Sequence, residues 1–505
     1  MACGLFVLFQ AFQPNKKKIK EMMNNMLTEQ PNGNTNTYYR QMKLTAGDVH
    51  VYASNELYNA LDGKVFEMAN NNLQIPNIRY MGYTPDVHVG IGTCIGTTAV
   101  WDTENAFVSP SIVGSDIGCG MRVHLTNLSA HDLKDVKLRR RLVKAIERML
   151  PVEEQARGHY SDFRLEQIVV KGLHGLPKKY VPDAYTPRKA TSLTHVEHSR
   201  FQFDESYLER IPEQVWHRAH RQLGTLGRGN HFAEIQTIEI HEDNREVAEQ
   251  WGLVDGQIVI MIHSGSRAWG GSVNQHCGSE VAKFMRMNGL GTADPKLAFA
   301  PLHSDAGQAY LNLMYSALNY AVVNRHLIAN SIREACREVL GPKFEMSTLY
   351  DLMHNYAWEE EQRGKSFFVH RKGATRALPP GHPDNPLPFL NTGHPALIPG
   401  SMGSASYLMV GRPEGESNHY SICHGAGRIR SRNASKQLVT VEEFASSMRI
   451  GQEDEIIVNH KSLESILDES PQAYKSIDQI IDSVVGAQLA SVVAKCHPIA
   501  VIKGV

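Results

Sequence analysis

Apolar positions along the chain change their spacing several times, and each change predicts a different element. Beyond about residue 40 and as far as about 125, short β-rich runs alternate with glycine turns: GKVFEMA, the segment around IRYMGYTPDVHVGIG, GTTAVW and MRVHLTNL. Ser129 and Asp132 have the spacing of a capping box. They open a predicted amphipathic helix over 132–150, with Leu133, Val136, Val143, Ile146 and Leu150 on its apolar side. Helical spacing recurs around 206–223, 241–251, 272–287, 303–337 and 472–494, and the run QIVIMIHSGS reads as a strand between two of these. The stretch before His354 also reads as helical. The Pro/Gly-rich segment 378–389 must be a long loop. Residues 151–200 lack periodicity and predict an irregular insertion, and the polar, turn-rich approach to residue 40 marks 1–40 as an appended arm. No internal repeat or linker divides the rest. Glycine-rich motifs spread from 86 to 427 predict one catalytic domain, 41–505, assembled from distant segments.

Composition narrows the class. Fifty-two Lys and Arg against 53 Asp and Glu leave a formal charge of -1, which excludes a uniformly basic nucleic-acid coat but permits a local basic cleft. Seven scattered Cys in 505 residues do not make a disulfide scaffold. No apolar stretch approaches the roughly 20 residues of a membrane span, and the start lacks a basic segment before its apolar run. A cytoplasmic protein is expected, without a membrane role. The unusual number is 24 His.

Some of those histidines stand beside other metal-ligating types. Asp116 and Cys119 share a glycine-rich turn where the backbone can curl both side chains toward one point. His231 follows the glycine-rich run GTLGRG, His263 ends the apolar strand before Ser-Gly-Ser, and His354 begins a polar knot with Asn355 and Tyr356. Carboxylate, thiol and imidazole together suit Mn²⁺, Zn²⁺, Fe²⁺ or Co²⁺ better than Mg²⁺ or Ca²⁺. The set exceeds one tetrahedral site, so two ions with a shared thiolate are the economical reading.

Two later runs resemble anion cradles. Pro399-Gly400-Ser401-Met402-Gly403-Ser404-Ala405-Ser406 exposes backbone N–H groups and hydroxyls. His424-Gly425-Ala426-Gly427-Arg428 continues to Arg430 and Arg432, which can grip phosphates. Neither is a P-loop or a dinucleotide fingerprint. Such a histidine can serve as base, metal ligand or nucleophile toward phosphorus, and spacing does not separate these roles. Arg363, Lys365, Arg371, Lys372 and Arg376 form a further basic cluster, read as a polyphosphate or RNA track or as a solvated face.

Together, SPSIVGSDIGCGMR, GTLGRGNHFAEI, MIHSGSRAWG, HNYAWEE, VHRKGATRA, LIPGSMGSASY and HGAGRIRSR closely resemble, in order, the motifs of the RtcB-type RNA ligases. The resemblance runs from about residue 80 to the final VIKG. It implies an α+β fold, with mixed and antiparallel sheets around a deep metal and nucleotide cleft and helices flanking it. It implies an enzyme, a GTP-dependent ligase acting in tRNA splicing or RNA repair. That enzyme joins RNA 3′-phosphate or 2′,3′-cyclic phosphate ends to 5′-hydroxyl ends, using GTP and two Mn²⁺. By the same resemblance Asp116, Cys119 and His231 would hold one manganese, and Cys119, His263 and His354 the second. His424 would be the nucleophile that carries GMP. Asn230, His231, Phe232, Ala233 and Glu234, with His354 and Asn355, would line the GTP pocket. So would Pro399, Gly400, Ser401, Met402, Ser406 and His424, Gly425, Ala426, Gly427, with Lys503 reaching the guanine. The expected partner is RNA with such ends, from broken or intron-cleaved tRNA or from rRNA, and the expected state is a monomer.

Arg228 and His370 depart from the family pattern, as does the front arm, while Asp86 and His88 are kept in looser surroundings that include Cys94. The departures bear on RNA choice and leave room for a repair paralogue. Two rival readings use the same residues: a dinuclear metal-dependent phosphodiesterase or phosphatase acting on RNA ends, and a retired RNA-binding subunit. The first has no need of His424, and the second has no use for the metal donors.

Overall fold

The computed structural model describes residues 37–154, 158–180, 193–459 and 463–504. Two sheets carry the architecture. The first has the spatial order Tyr39–Leu44, Gly47–Tyr52, Tyr80–His88, Ile95–Asp102, Lys365–Lys372, Asn355–Gln362. It is antiparallel except where Gly47–Tyr52 meets Tyr80–His88. The second runs Met346–Met353, Gly120–Ser129, Gln257–Ser264, Phe232–Ile240, Ala490–Lys503, Ser406–Gly411, Ala396–Ile398, with Ile457–Val458 pairing in parallel with Ala490–Lys503. Mixed and antiparallel sheets with flanking helices match the expected α+β class.

The strand Gln257–Ser264 shows why its sequence reads as continuously apolar. Ile258, Ile260 and Ile262 face a core formed with Val143, Ile146, Ile328 and Ile332 of two helices. Val259 and Met261 face the opposite core, with Met121, Val123 and Leu352. A strand buried on both faces loses the usual alternation. The two helices are Val136–Met149 and the 36-residue Asp305–Leu340, the latter spanning about 54 Å at 1.5 Å per residue. A capping box at Ser129 and Asp132 is present, as its spacing predicts, with Asp135 capping the helix proper.

Three expectations need correction. GKVFEMA is helical, within Gly63–Asn72, because Asp62 caps it and Val65, Met68, Ala69 and Asn72 fall on one buried helical face. The helix expected over 472–494 stops at Gly486; Gln488 takes a left-handed turn at φ 60, and Ala490 starts a 14-residue strand. The stretch before His354 is the strand Met346–Met353, which pairs with Gly120–Ser129 and buries Leu349, Tyr350 and Leu352 in the core. Of the front arm, residues 1–36 lie outside the described residues. So do 155–157 and 181–192 of the 151–200 insertion, whose described part holds the helix Leu165–Lys171 and single-turn helices. No helix among the described residues is long and apolar enough to cross a membrane.

Strand register positions the site. Gly120 lies opposite Ser264 and Met353, while Phe232 lies opposite both His263 and Lys503. One end of the second sheet therefore presents Cys119, His231, His263, His354 and Lys503 side by side. His354 alone separates Met346–Met353 from Asn355–Gln362, so it marks the point where the chain passes from one sheet to the other.

Candidate active site

At that sheet end, two groups of donor atoms meet at a common thiol. Asp116, Cys119 and His231 form one, and Cys119, His263 and His354 the other; within each, the donors lie within 4.8 Å of one another. Cys119 Sγ is 3.1 Å from His263 Nε2 and 3.4 Å from His231 Nε2. His231 Nε2 is 2.8 Å from Asp116 Oδ2, and His263 Nε2 is 3.4 Å from His354 Nε2. Gly118 makes the approach possible: its φ is +69, and a Cβ there would meet Ala321 Cβ at 2.8 Å on the long helix.

The donor chemistry fits a borderline divalent ion. The Asn230 carbonyl can only accept from His263 Nδ1, at 3.1 Å, which leaves the lone pair on Nε2, facing the other donors. Burial and the neighbouring histidines hold His263 and His354 well below the usual range, so both imidazoles are neutral. Burial raises Asp116 too, but His231 outweighs it and holds the carboxyl at about 2. Burial, with the Asp116 charge, pushes the Cys119 thiol well up. Converging bare lone pairs and a thiol that does not ionise unaided are what a bound cation resolves.

Next to this centre opens a cleft of about 310 Å³. Asn230, Phe232, Glu234, Pro399 to Met402, His424 to Gly427 and Lys503 line it, as the sequence led us to expect. Five expected residues are not part of its lining, among them His231, which sits in the donor group with Asp116 and Cys119. Ala233 turns into the core beside Ile235. Ser406 Oγ receives Gly400 N at 3.1 Å and Gln236 Nε2 at 3.0 Å. Asn355 accepts from Gly373 N at 2.7 Å and donates to the Asp116 carbonyl at 3.1 Å. His354 sits among the metal donors, with its ring 5.1 Å from that of His424.

The residue that sequence reasoning left without a role is Asp86. Its Oδ2 is 2.6 Å from His424 Nδ1 and 3.1 Å from His424 N. Burial alone would raise Asp86, but His424 and the Thr84 hydroxyl hold it low. A carboxylate accepting Nδ1–H fixes the tautomer that leaves a lone pair on His424 Nε2. Gly427 allows the close fit, with φ +67 and an added Cβ only 2.4 Å from the Asp86 carbonyl. The signal was available in the D-x-H spacing before a glycine-rich turn, but nothing local ties residue 86 to residue 424. Glu469 and Tyr474 were missed as well. Glu469 accepts from Tyr474 at 2.6 Å and pairs with Lys503 at 3.0 Å and Arg432 at 2.6 Å.

The basic cluster is not a continuous track. Arg371 is buried against Glu360, and Arg376 pairs with Asp384 and Glu360. Lys372 Nζ donates to the carbonyls of Ile91, Thr93 and Ser111, each at 2.9 Å. Arg363 and Lys365 stay at an exposed turn, with Arg363 on Glu416. Of the departures, Arg228 points to Glu153 on the surface. His370 is buried at 5.0 Å from Trp101 and accepts from Ser109 N at 3.1 Å; burial lowers it to about 3.

The family described as tRNA-splicing ligase RtcB matches residues 68–504. The tRNA-splicing ligase RtcB of Thermococcus kodakarensis is 35% identical over 466 residues, 90% of this chain and 94% of the relative. Those of Pyrobaculum aerophilum and Archaeoglobus fulgidus are also 35% identical, over 470 and 466 residues, each with 90% of this chain and 94% of the relative covered.

Proposed function

The chain belongs to the RtcB family of tRNA-splicing ligases, and on that premise we propose that it seals RNA by way of a guanylate carried on His424. It is an RNA ligase of tRNA splicing. The ends it joins are a 3′-phosphate or 2′,3′-cyclic phosphate and a 5′-hydroxyl, with GTP consumed. The observation that carries this reading is the Asp86–His424 contact beside a double donor group with a shared thiol. A phosphodiesterase using the same donors has no need of that clamped imidazole. The proposal includes a cytoplasmic monomer, as the resemblance implies.

In this reading Asp116, Cys119 and His231 hold one manganese, and Cys119, His263 and His354 hold another. Bound there, the ions supply Lewis-acid stabilisation of phosphoryl oxygens and acidify water for opening a cyclic phosphate. The protein does the rest. Asp86 keeps the proton on Nδ1, and His424 Nε2 forms a bond to the α-phosphorus of GTP while pyrophosphate leaves with the electron pair. An oxygen of the RNA 3′-phosphate then displaces the imidazole, which recovers its lone pair. The 5′-hydroxyl attacks that 3′-phosphorus, and GMP leaves. Arg428 and Arg432 face the cleft as phosphate grips, while Glu234 and Lys503 address the guanine edge. Incubation with α-labelled GTP and Mn²⁺ should leave acid-labile, base-stable label on the protein. RNA bearing 3′-phosphate and 5′-hydroxyl ends should then be joined.

Asp86→Asn should slow guanylylation by roughly 10²- to 10⁴-fold, because the amide donates to Nδ1 and moves the proton onto the attacking nitrogen. Mn²⁺ affinity should be unchanged, since Asp86 belongs to neither donor group. Single-turnover labelling alongside metal titration separates the two; equal losses in both would remove the positioning role.

Glu234 makes nucleotide binding pH-dependent. Burial raises its carboxyl to about 8, against the Gln236 hydrogen bond and Lys503, so it is protonated below that pH in the free protein. A guanine edge, which donates N1–H and N2–H, favours the carboxylate. Binding of GMP at pH 7 should therefore release close to one proton. Affinity should rise about tenfold per unit toward pH 8 and then level. Calorimetry in buffers of different ionisation enthalpy checks this, and Glu234→Gln should abolish the release.

A further inference from the structure

Two adjacent residues of the helix Asp305–Leu340 reach into the chain segments that bring in the metal donors. Asn324 Nδ2 donates to the Thr225 and Gly265 carbonyls at 3.2 and 3.1 Å, and to Ser264 Oγ at 3.2 Å; its Oδ1 accepts from Gly224 N at 2.8 Å. Arg325 does more. Its Nη1 donates to the Gly118 carbonyl at 2.7 Å and to the Ser264 carbonyl at 3.0 Å. Gly118 immediately precedes Cys119, and Ser264 immediately follows His263. Its Nε and Nη2 grip both oxygens of Asp351 at 2.9 and 2.7 Å, three residues before His354. Arg122, three residues after Cys119, meets the same carboxylate at 3.1 Å. Both guanidinium groups are wholly buried, and Asp351 is 1% exposed.

We propose that Arg325 is a positioning residue for the metal centre, whose guanidinium holds the Cys119, His263 and His354 segments in register and thereby sets the affinity of that donor group for a divalent ion. A planar fork with fixed donor directions can satisfy two carbonyls and a bidentate carboxylate at once, which an ammonium cannot. The donors occupy the ends of different strands, Gly120–Ser129, Gln257–Ser264 and Met346–Met353. Backbone hydrogen bonds already join two of these ends, from His354 N to the Cys119 carbonyl at 2.9 Å and from Gly118 N to the Asn355 carbonyl at 2.8 Å. From outside the sheet, Arg325 ties the Gly118 and Ser264 carbonyls to each other and to Asp351. Outer contacts of this kind commonly alter metal affinity by about 10- to 100-fold.

The inference rests on the two-ion reading above, so its test reads metal binding and not ligation. Cobalt(II) titration of the metal-free full chain in a His231→Ala background isolates the Cys119, His263 and His354 group, and the thiolate-to-cobalt absorption reports the Sγ bond. Arg325→Lys, which keeps the charge but not the fork, should weaken binding about 10- to 100-fold and shift that band. Should the lysine variant not fold, Asp351→Asn carries the same test, since it loosens the grip while keeping the side-chain shape. A folded variant with unaltered affinity and an unaltered band overturns the positioning role, even if its melting temperature falls. Absence of any thiolate band in the His231→Ala protein that retains Arg325 would instead remove the metal reading on which it stands.

Discussion

His424→Ala is expected to leave the protein unlabelled by α-labelled GTP and to lower joining of 3′-phosphate to 5′-hydroxyl RNA by at least about 10⁴-fold. No other cleft residue can replace the imidazole. His263 and His354 are committed to the donor groups. His88 lies 6.4 Å away, ring to ring, but lacks the carboxylate clamp. Its Nδ1 bonds the Asp86 carbonyl at 2.9 Å, and burial lowers it to about 4. The variant should still seal RNA whose 3′-phosphate has been guanylylated beforehand, because that step uses the metal centre and not the nucleophile. It should also lose stability. Asp86 is buried, and His424 is what holds its pKa down despite that burial. Without the imidazole the buried carboxyl keeps only the Thr84 hydroxyl and the backbone N–H of residue 424, and the lost partner costs about 1–3 kcal/mol or is met by protonation. The sign follows from the lowered folded-state pKa: the stabilisation is present above the unfolded carboxyl's range and disappears as pH falls through the folded value. The stability gap between the two proteins should thus narrow in acid. Label on the alanine variant would sink the nucleophile assignment.

What the sequence made legible was local chemistry at element ends. Cys119, His231, His263 and His354 each stand beside glycine or a polar neighbour because a strand ends there, and strand ends at one sheet edge are brought together by register. Periodicity could place each donor at the end of an element, but not on the same end of the same sheet, since register depends on partners in other segments, as Gly120 is set by Ser264 and Met353. The Asp86–His424 contact spans 338 positions and joins a strand of the first sheet to a loop, so no window contains both. Misreadings arose where burial overrode pattern. GKVFEMA carries Val65 and Phe66 like a strand, yet the Asp62 cap and the spacing of Val65, Met68 and Ala69 make it a helix. The clustered Arg371, Lys372 and Arg376 look solvated in sequence because their acidic and carbonyl partners lie far along the chain or on the opposite strand. Arg325 was invisible for the same reason: inside an amphipathic helix, nothing distinguishes a surface arginine from one turned inward.

Cys119→Ala should have the largest effect on the metal centre, because Cys119 is the donor that the two groups share. Removing His231 or His354 deletes one ligand from one group, leaving the other group whole. Removing Cys119 takes a ligand from both and leaves each with two donors, fewer than any stable site for such ions uses. Bound metal should accordingly fall from two equivalents toward none at concentrations where His231→Ala and His354→Ala each keep one. Cys119→Ser should not rescue it, because an alcohol does not ionise where a thiol already resists ionisation. Charge explains the strength of the coupling. Burial and Asp116 keep the free thiol protonated, so the first ion must displace a proton to gain its sulfur ligand. The thiolate then formed attracts the second ion. Binding should therefore release a proton and be cooperative in the unaltered protein, with affinity rising as pH rises. In His231→Ala the proton is still released but the cooperativity is gone. Equilibrium dialysis with cobalt(II) across pH checks both. Two equivalents retained by Cys119→Ala would show that the thiol is not the bridge and that the two donor groups act separately.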